Sequence, residues 1–76
     1  MIFERIKALR EDMDYKQIEL ARYLSVQQGT YSDYENGKIN VPVEALLKLA
    51  DFYRTSIDYL VGRTDEIKPY PKATRD

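Results

Sequence analysis

The sequence predicts an all-α protein, a compact bundle of five helices in which helices 2 and 3 form a helix-turn-helix. Apolar residues recur at intervals of three and four along separate segments, the spacing that buries one face of a helix. Glycine or proline interrupts the chain at Gly37, Pro42 and Gly62. Seventy-six residues make one domain at most, so the helices are expected to share one core.

The composition of the chain excludes several kinds of chemical site. With 43% hydrophobic and 33% charged residues, the chain falls in the globular class. It has no cysteine and no histidine, which excludes disulfides and thiolate metal sites and removes the commonest general base. Its serines therefore have no histidine to activate them, and we expect neither an enzyme nor a bound cofactor or metal.

Nothing in the sequence indicates a membrane protein or an exported one. No apolar run approaches the roughly 20 residues of a membrane span. The N-terminus mixes charged and apolar residues and has no signal-peptide core. We therefore expect a cytoplasmic protein that does not bind membranes. The short chain also leaves no room for a small-molecule ligand domain.

Residues 2–12 are predicted to form helix 1. An apolar stripe at helical spacing runs through Ile2, Ile6, Leu9 and Met13. A short connector follows this helix, and Asp14 is expected to cap the next one, because aspartate is among the preferred N-cap residues.

Residues 17–37 read as helix, sharp turn, helix and stop. The apolar face of helix 2 consists of Leu20, Ala21 and Leu24. Ala21 is small, so a second helix can cross close to it. Ser25 then interrupts the apolar pattern, and Val26 is expected to anchor the turn in the core.

Helix 3 is predicted over residues 27–35, and Gly37 ends it because glycine takes the left-handed conformation without strain. Tyr31 and Tyr34 are expected to face inward. The outer surface then carries Gln27, Gln28, Thr30, Ser32 and Asp33. Glutamine can pair with adenine, aspartate can accept from cytosine N4, and serine and threonine reach phosphates or the thymine methyl group. The second helix of such a unit can enter the DNA major groove.

Helices 4 and 5 complete the predicted bundle. Pro42 suits the first position of helix 4, whose residues 43–53 carry a broad apolar surface typical of a central element. Ser56 is a good N-cap for helix 5, which Gly62 ends. The domain thus comprises residues 1–63. Residues 64–76 mix prolines and charges, and we expect a free tail, extended or disordered.

Two motifs carry a resemblance to a known family: Gln17-x-x-Leu20-Ala21-x-x-Leu24-x-Val26 and Thr30-x-Ser32-x-Tyr34-Glu35-Asn36-Gly37-Lys38. They resemble the phage Cro/repressor, or XRE-type, helix-turn-helix family of DNA-binding proteins. The similarity continues through helices 4 and 5 and covers about residues 2–64. Ser25 departs from the glycine that is frequent in the family's turn. If Ser25 is left-handed, serine costs about 1 kcal/mol relative to glycine.

The resemblance implies a sequence-specific transcriptional regulator, a repressor that reads an inverted-repeat operator in double-stranded DNA through helix 3. The outer residues of helix 3 then read bases. A second set is expected to contact the DNA backbone: Lys16, Gln17, Gly29, Asn36, Lys38 and Asn40. Gln17 lies in the first turn of helix 2, where free N–H groups and the helix dipole favour a phosphate. The alternative for the outer residues of helix 3 is a solvated helix face, and for Gln17 it is an exposed side chain that contacts nothing.

The resemblance also implies an ion pair and a dimer. Family members pair an arginine of the first helix with the glutamate before Asn-Gly, and these residues are here Arg10 and Glu35. The alternative is that both are solvated surface charges. Family members bind inverted repeats as dimers, so we expect a homodimer at least on DNA. The candidate interface is the apolar excess of helix 5: Ile57, Leu60 and Val61.

The charge balance leaves a second function open. Twelve basic residues against 13 acidic ones give a net charge of −1, although DNA affinity comes from cations on phosphates. Asp33 also places a negative charge on the proposed reading surface. A protein-interaction module on the same fold, such as an antitoxin-like or adaptor subunit with weak DNA binding, is therefore the alternative. A DNA reader should lose affinity as salt rises, whereas an adaptor should show no binding to lose.

Overall fold

Five α-helices follow one another in the computed structural model, which describes residues 2–71. They are α1 (Glu4–Asp12), α2 (Gln17–Leu24), α3 (Gln28–Asn36), α4 (Val43–Tyr53) and α5 (Ile57–Leu60). The described residues contain no strand, so the all-α prediction is confirmed. None of these helices has the length and apolar character needed to cross a bilayer.

One hydrophobic core joins all five helices. Its side chains come from the predicted apolar faces, and several are wholly buried, among them Ile6, Leu20, Ala21, Tyr31 and Leu49. Burying one large apolar side chain stabilises a fold by about 1.5–3 kcal/mol. Because α2 presents the small Ala21 to the interior, α3 can lie close to it, as the sequence predicted.

Every helix ends in the same backbone motif. A left-handed residue follows each helix by one or two positions, with φ between 54° and 82°, at Asp14, Ser25, Gly37, Arg54 and Gly62. In each case the next N–H reaches back five residues to a helix carbonyl, as Val26 N does to Ala21 O at 2.9 Å. This Schellman geometry satisfies carbonyls that the helix leaves unpaired. It confirms the expected ends at Gly37 and Gly62 and the left-handed state of Ser25.

Four helix starts differ from the predictions. α1 begins at Glu4 rather than at residue 2. Asp14 does not cap α2, since it belongs to the end of α1, and Lys16 takes the N-cap position. The backbone N–H of Lys16 instead donates to Oε1 of Glu19 at 3.0 Å. Pro42 is the N-cap of α4 rather than its first helical residue. Gln27 likewise caps α3, which is shifted by one residue from the predicted range of 27–35.

The apolar patterns of α1 and α4 extend beyond what the core buries. Ile2 and Met13 are 56% and 50% exposed, because they lie outside the ends of α1. Val43 and Leu47 are 68% and 51% exposed, so α4 buries one face and leaves these two residues on another. The predicted cap of α5 is confirmed, since the N–H of Tyr59 donates to Oγ of Ser56 at 3.0 Å.

Residues 64–71 contain no helix but are held against the bundle, which differs from the free tail that was expected. The guanidinium of Arg5 lies 4.2 Å from the centre of the Tyr59 ring and donates to the carbonyl of Thr64. The hydroxyl of Thr55 donates to the carbonyl of Ile67 at 2.6 Å. The hydroxyl of Tyr70 donates to Asp58 at 2.9 Å. The rest of the predicted tail, residues 72–76, lies outside the described residues.

Candidate nucleic-acid interface

A tight turn of three residues fixes α3 relative to α2. Ser25 turns the chain with φ 59° and ψ 41°, and extended backbone at Gln27 then starts α3. Val26 lies between them and packs partly buried against the core, in line with its predicted role as an anchor. Val26 thus anchors the middle of the turn, and Ser25, its first residue, has a strained backbone. The turn therefore fixes the direction of α3 relative to α2.

The two faces of α3 differ sharply in burial. Tyr31, Tyr34 and Glu35 are buried, with at most 6% of each residue exposed. The other residues of α3 are exposed or half-buried and are all polar apart from glycine. The predicted base-reading set therefore lies on or beside the accessible face, with Gln27 and Gln28 exposed and the rest half-buried: Thr30, Ser32 and Asp33.

Gly29 lies on this accessible face, and the packing of the protein does not require a glycine at this position. A Cβ added there would meet no heavy atom within 4 Å. Glycine costs a helix about 1 kcal/mol relative to alanine. The absence of a side chain at this point therefore leaves the α3 backbone open to close approach by another molecule.

The predicted DNA-backbone residues differ in their exposure. Lys16, Lys38 and Asn40 are exposed. Asn36 is exposed as well, and its amide lies 3.3 Å from Oγ of Ser32, one turn earlier on α3. Gln17 is only half-buried and is already engaged, because Nε2 donates to Oε1 of Glu35 at 3.1 Å.

Glu35 is the centre of a buried hydrogen-bond network. Arg10 Nε donates to Oε2 at 2.6 Å and Nη2 donates to Oε1 at 3.1 Å, a bidentate ion pair. The hydroxyl of Tyr31 also donates to Oε2, at 2.6 Å. Nη1 of Arg10 donates to the carbonyl of Tyr15 at 2.9 Å. The network thus joins α1, the following connector, the start of α2 and both ends of one turn of α3.

The network shifts the ionisation of its members. Burial alone raises the pKa of Glu35, but hydrogen bonds from Arg10, Tyr31 and Gln17 outweigh it and hold the pKa below its ordinary value. The hydrogen bond to Glu35 raises the pKa of Arg10, against the opposing effect of burial. Burial, followed by the bond to Glu35, raises the pKa of the Tyr31 phenol. The carboxylate and the guanidinium are therefore both charged across the physiological range.

Comparison with known proteins identifies this arrangement. Residues 6–60, most of the chain, match the helix-turn-helix family. The chain belongs to that family. The match confirms the resemblance to the Cro/repressor, XRE-type proteins that the motifs of α2 and α3 carry.

Relatives of this helix-turn-helix chain include regulators and an antitoxin. The HTH-type transcriptional regulator AnsR of Bacillus subtilis is 33% identical over 73 residues, which cover 96% of this chain and 63% of AnsR. The cryptic phage CTXphi transcriptional repressor RstR of Vibrio cholerae is 35% identical over 65 residues, covering 86% of this chain and 59% of RstR. Antitoxin PezA of Streptococcus pneumoniae is 32% identical over 69 residues, covering 91% of this chain and 44% of PezA.

The chain spans between 44% and 65% of the length of the curated relatives that it matches. No solved structure matches it.

The predicted dimer residues of this helix-turn-helix domain do not all reach the surface. Leu60 is 1% exposed and belongs to the protomer's own core, so it offers no area to a partner and its assignment to an interface is wrong. Ile57 and Val61 are half-buried. The single turn of α5 turns Leu60 inward and leaves these two residues partly accessible, and they alone of the predicted set stay candidates.

Two contacts of Glu35 were not anticipated from the sequence. Tyr31 and Glu35 are four residues apart, a spacing that places side chains on one helix face and that could have indicated their bond. Gln17 and Glu35 are 18 residues apart, and no local pattern pairs them. The contact depends on how closely the turn brings α2 to α3, which only the folded chain defines.

Proposed function

We propose that the chain is a sequence-specific, DNA-binding transcriptional regulator that represses by occupying an inverted-repeat operator. In this proposal α3 lies in the major groove. One observation carries it: α3 buries its two tyrosines and Glu35 and presents its polar residues outward on a helix whose direction the turn at Ser25 fixes. Family membership is consistent with this use of the second helix.

The base-reading roles follow from the chemistry of the exposed side chains. Gln27 and Gln28 are exposed at the start of α3 and can pair with adenine N6 and N7. Thr30 and Ser32 can meet phosphate oxygens or a thymine methyl group. Asp33 can accept from cytosine N4, which is the donor that a carboxylate can use in the major groove.

The DNA backbone is proposed to be held on both sides of α3. Lys16 and Gln17 precede or begin α2, and Lys38 and Asn40 follow α3 in an exposed loop. Gly29 lets the α3 backbone approach the DNA, since the protein itself does not fill that space. Asn36 adds an exposed amide at the last turn of α3. Such contacts set orientation and carry no sequence information themselves.

The test is a comparison of specific and mixed-sequence DNA. A preferred site is first selected from a random DNA library, and Gln28→Ala is then titrated against that site and against mixed sequence. If Gln28 reads a base, the loss should be about 1–3 kcal/mol on the preferred site and small on mixed DNA. An equal loss on both would reduce Gln28 to a backbone contact.

A second candidate, a protein-interaction module, is favoured by two observations. The antitoxin PezA is among the relatives. The residues around α3 include few cations, and Asp33 adds a negative charge to them. In that case Asp33 faces a partner protein. Titration with mixed-sequence DNA at low salt separates the two, since a DNA reader binds and an adaptor does not. Asp33→Asn would then weaken a protein complex and leave DNA binding unchanged.

A further inference from the structure

The Glu35 carboxylate is immobilised by four donors, and two of them, from Tyr31 and Gln17, come from outside the expected ion pair. Oε2 accepts from Arg10 and Tyr31, each at 2.6 Å, and Oε1 accepts from Arg10 and Gln17, each at 3.1 Å. A carboxylate offers about four acceptor sites, so this one is saturated. Glu35 is 4% exposed, and Tyr31 is wholly buried. Rotation of the carboxylate would break at least one buried bond.

This geometry decides which way the Gln17 amide points. A carboxylate only accepts hydrogen bonds, so the NH2 group of Gln17, and not its carbonyl oxygen, must face Glu35. The NH2 group carries two hydrogens, and the bond to Oε1 uses one of them. The other is then held in a defined direction at a half-buried residue of the first turn of α2. A phosphate needs a donor, and this orientation supplies one.

We propose that Glu35, together with Tyr31, is a positioning residue for DNA binding, because it orients the Gln17 amide so that its second N–H can donate to a DNA phosphate. This rests on the proposed function. Arg10 holds the carboxylate in place from α1, and Tyr31 holds it from α3. The buried network therefore couples the reading helix to the start of α2 through a single carboxylate.

The experiment is a double-mutant cycle on DNA affinity. Gln17→Met removes the amide and keeps the length of the side chain. Tyr31→Phe removes one donor to Glu35 and keeps the ring. Both variants, the double variant and the wild type are titrated with a mixed-sequence DNA duplex, at a temperature where thermal melting shows each to be folded. Tyr34→Phe is the matched control, because it removes the hydroxyl of the other buried tyrosine of α3, which lies outside this network.

Coupling is the expected result. Gln17→Met should weaken DNA binding about tenfold, because the hydrogen bond from Gln17 to the charged phosphate is lost. Tyr31→Phe should weaken it about threefold, because the same hydrogen bond is then misdirected. The double variant should then lose about tenfold rather than the roughly thirtyfold product of independent effects. Tyr34→Phe should bind as the wild type does.

Two results overturn the proposal. If the losses of the two single variants multiply, or if Tyr31→Phe binds like Tyr34→Phe, the network only stabilises the fold and does not position Gln17. A wild-type protein that binds no DNA contradicts the proposed function as well, and is thereby distinguished from a failure of the coupling alone.

Discussion

A single buried carboxylate connects three parts of the chain. Glu35 accepts hydrogen bonds from Arg10 in α1, from Gln17 in α2 and from Tyr31 in α3. Breaking one side of a buried ion pair leaves the other charge uncompensated, which costs about 3–5 kcal/mol. The pair is therefore a point at which a small change should strongly affect stability, whatever the chain binds.

The stability contributed by Glu35 should depend on pH. The pKa of Glu35 is lower in the folded chain than its ordinary value of about 4.3. The unfolded chain therefore takes up the proton first as pH falls, and the contribution is fully present above the unfolded pKa and is lost as pH falls through the folded pKa. Urea unfolding at several pH values should show Glu35→Gln strongly destabilised at pH 7, by about 3 kcal/mol, with the difference from wild type shrinking below about pH 4.

Glu44→Gln is the control for that series, because it removes the charge of an exposed glutamate in the first turn of α4. A difference between wild type and Glu35→Gln that stays constant from pH 7 to pH 3 would contradict the assigned ionisation.

At the scale of the elements, the helix ends show what the sequence could and could not specify. Gly37 and Gly62 marked two ends correctly, because glycine is the usual left-handed residue. Asp14 and Arg54 are also left-handed, but no glycine marks these two helix ends. Aspartate is in addition a preferred N-cap residue, so Asp14 resembled the start of α2. The helices themselves were predictable from spacing, since a buried face repeats along several turns.

The limits of prediction are clearest where an element is short or a contact is distant. α5 has one turn, so its sequence could not tell the buried Leu60 from the half-buried Ile57. The bonds from Arg5 to Thr64 and Asp65 join positions about sixty residues apart. The polar face of α3 was predictable, whereas the engagement of Gln17 by Glu35 was not, because it arises from the crossing of two helices.

A substitution in the turn between α2 and α3 should stabilise the domain. Ser25 is left-handed with φ 59°, a conformation that costs a residue with a Cβ about 1–2 kcal/mol. Ser25→Gly should relieve this and, after the extra entropy of unfolded glycine, stabilise the domain by up to about 1 kcal/mol. Calorimetry should then show a Tm higher by roughly 4–8 °C per kcal/mol. Ser25→Ala keeps the Cβ and should give no such rise; equal shifts in both variants would refute the strain.

At the scale of the whole molecule, a DNA-binding domain of this size would read only a few base pairs, so the proposed specificity calls for two copies on a twofold operator. Half-sites about 10 bp apart, one helical turn, are expected. Of the candidate interface residues, Ile57 and Val61 are half-buried and partly accessible in the single chain. Assembly through α5 therefore stays a prediction, which rests on two of the three residues that the sequence suggested.

Analytical ultracentrifugation with a palindromic site tests that assembly. Two protomers should bind each site, and Val61→Ser should weaken the second binding event. Val43→Ser is the matched control, because Val43 is 68% exposed on α4 and lies outside the proposed interface. One protomer bound per palindrome, or equal effects of the two substitutions, would contradict a twofold interface through α5.

The salt dependence of DNA binding by the wild-type protein is the most direct test of the proposed function. With Lys16 and Lys38 on phosphates in each of two protomers, log affinity should fall linearly with log salt, with a slope of roughly −3 to −4. Affinity for the selected site should exceed that for mixed sequence at every salt concentration. Absence of binding to either DNA at low salt, or an affinity that does not change with salt, would contradict the proposed DNA binding.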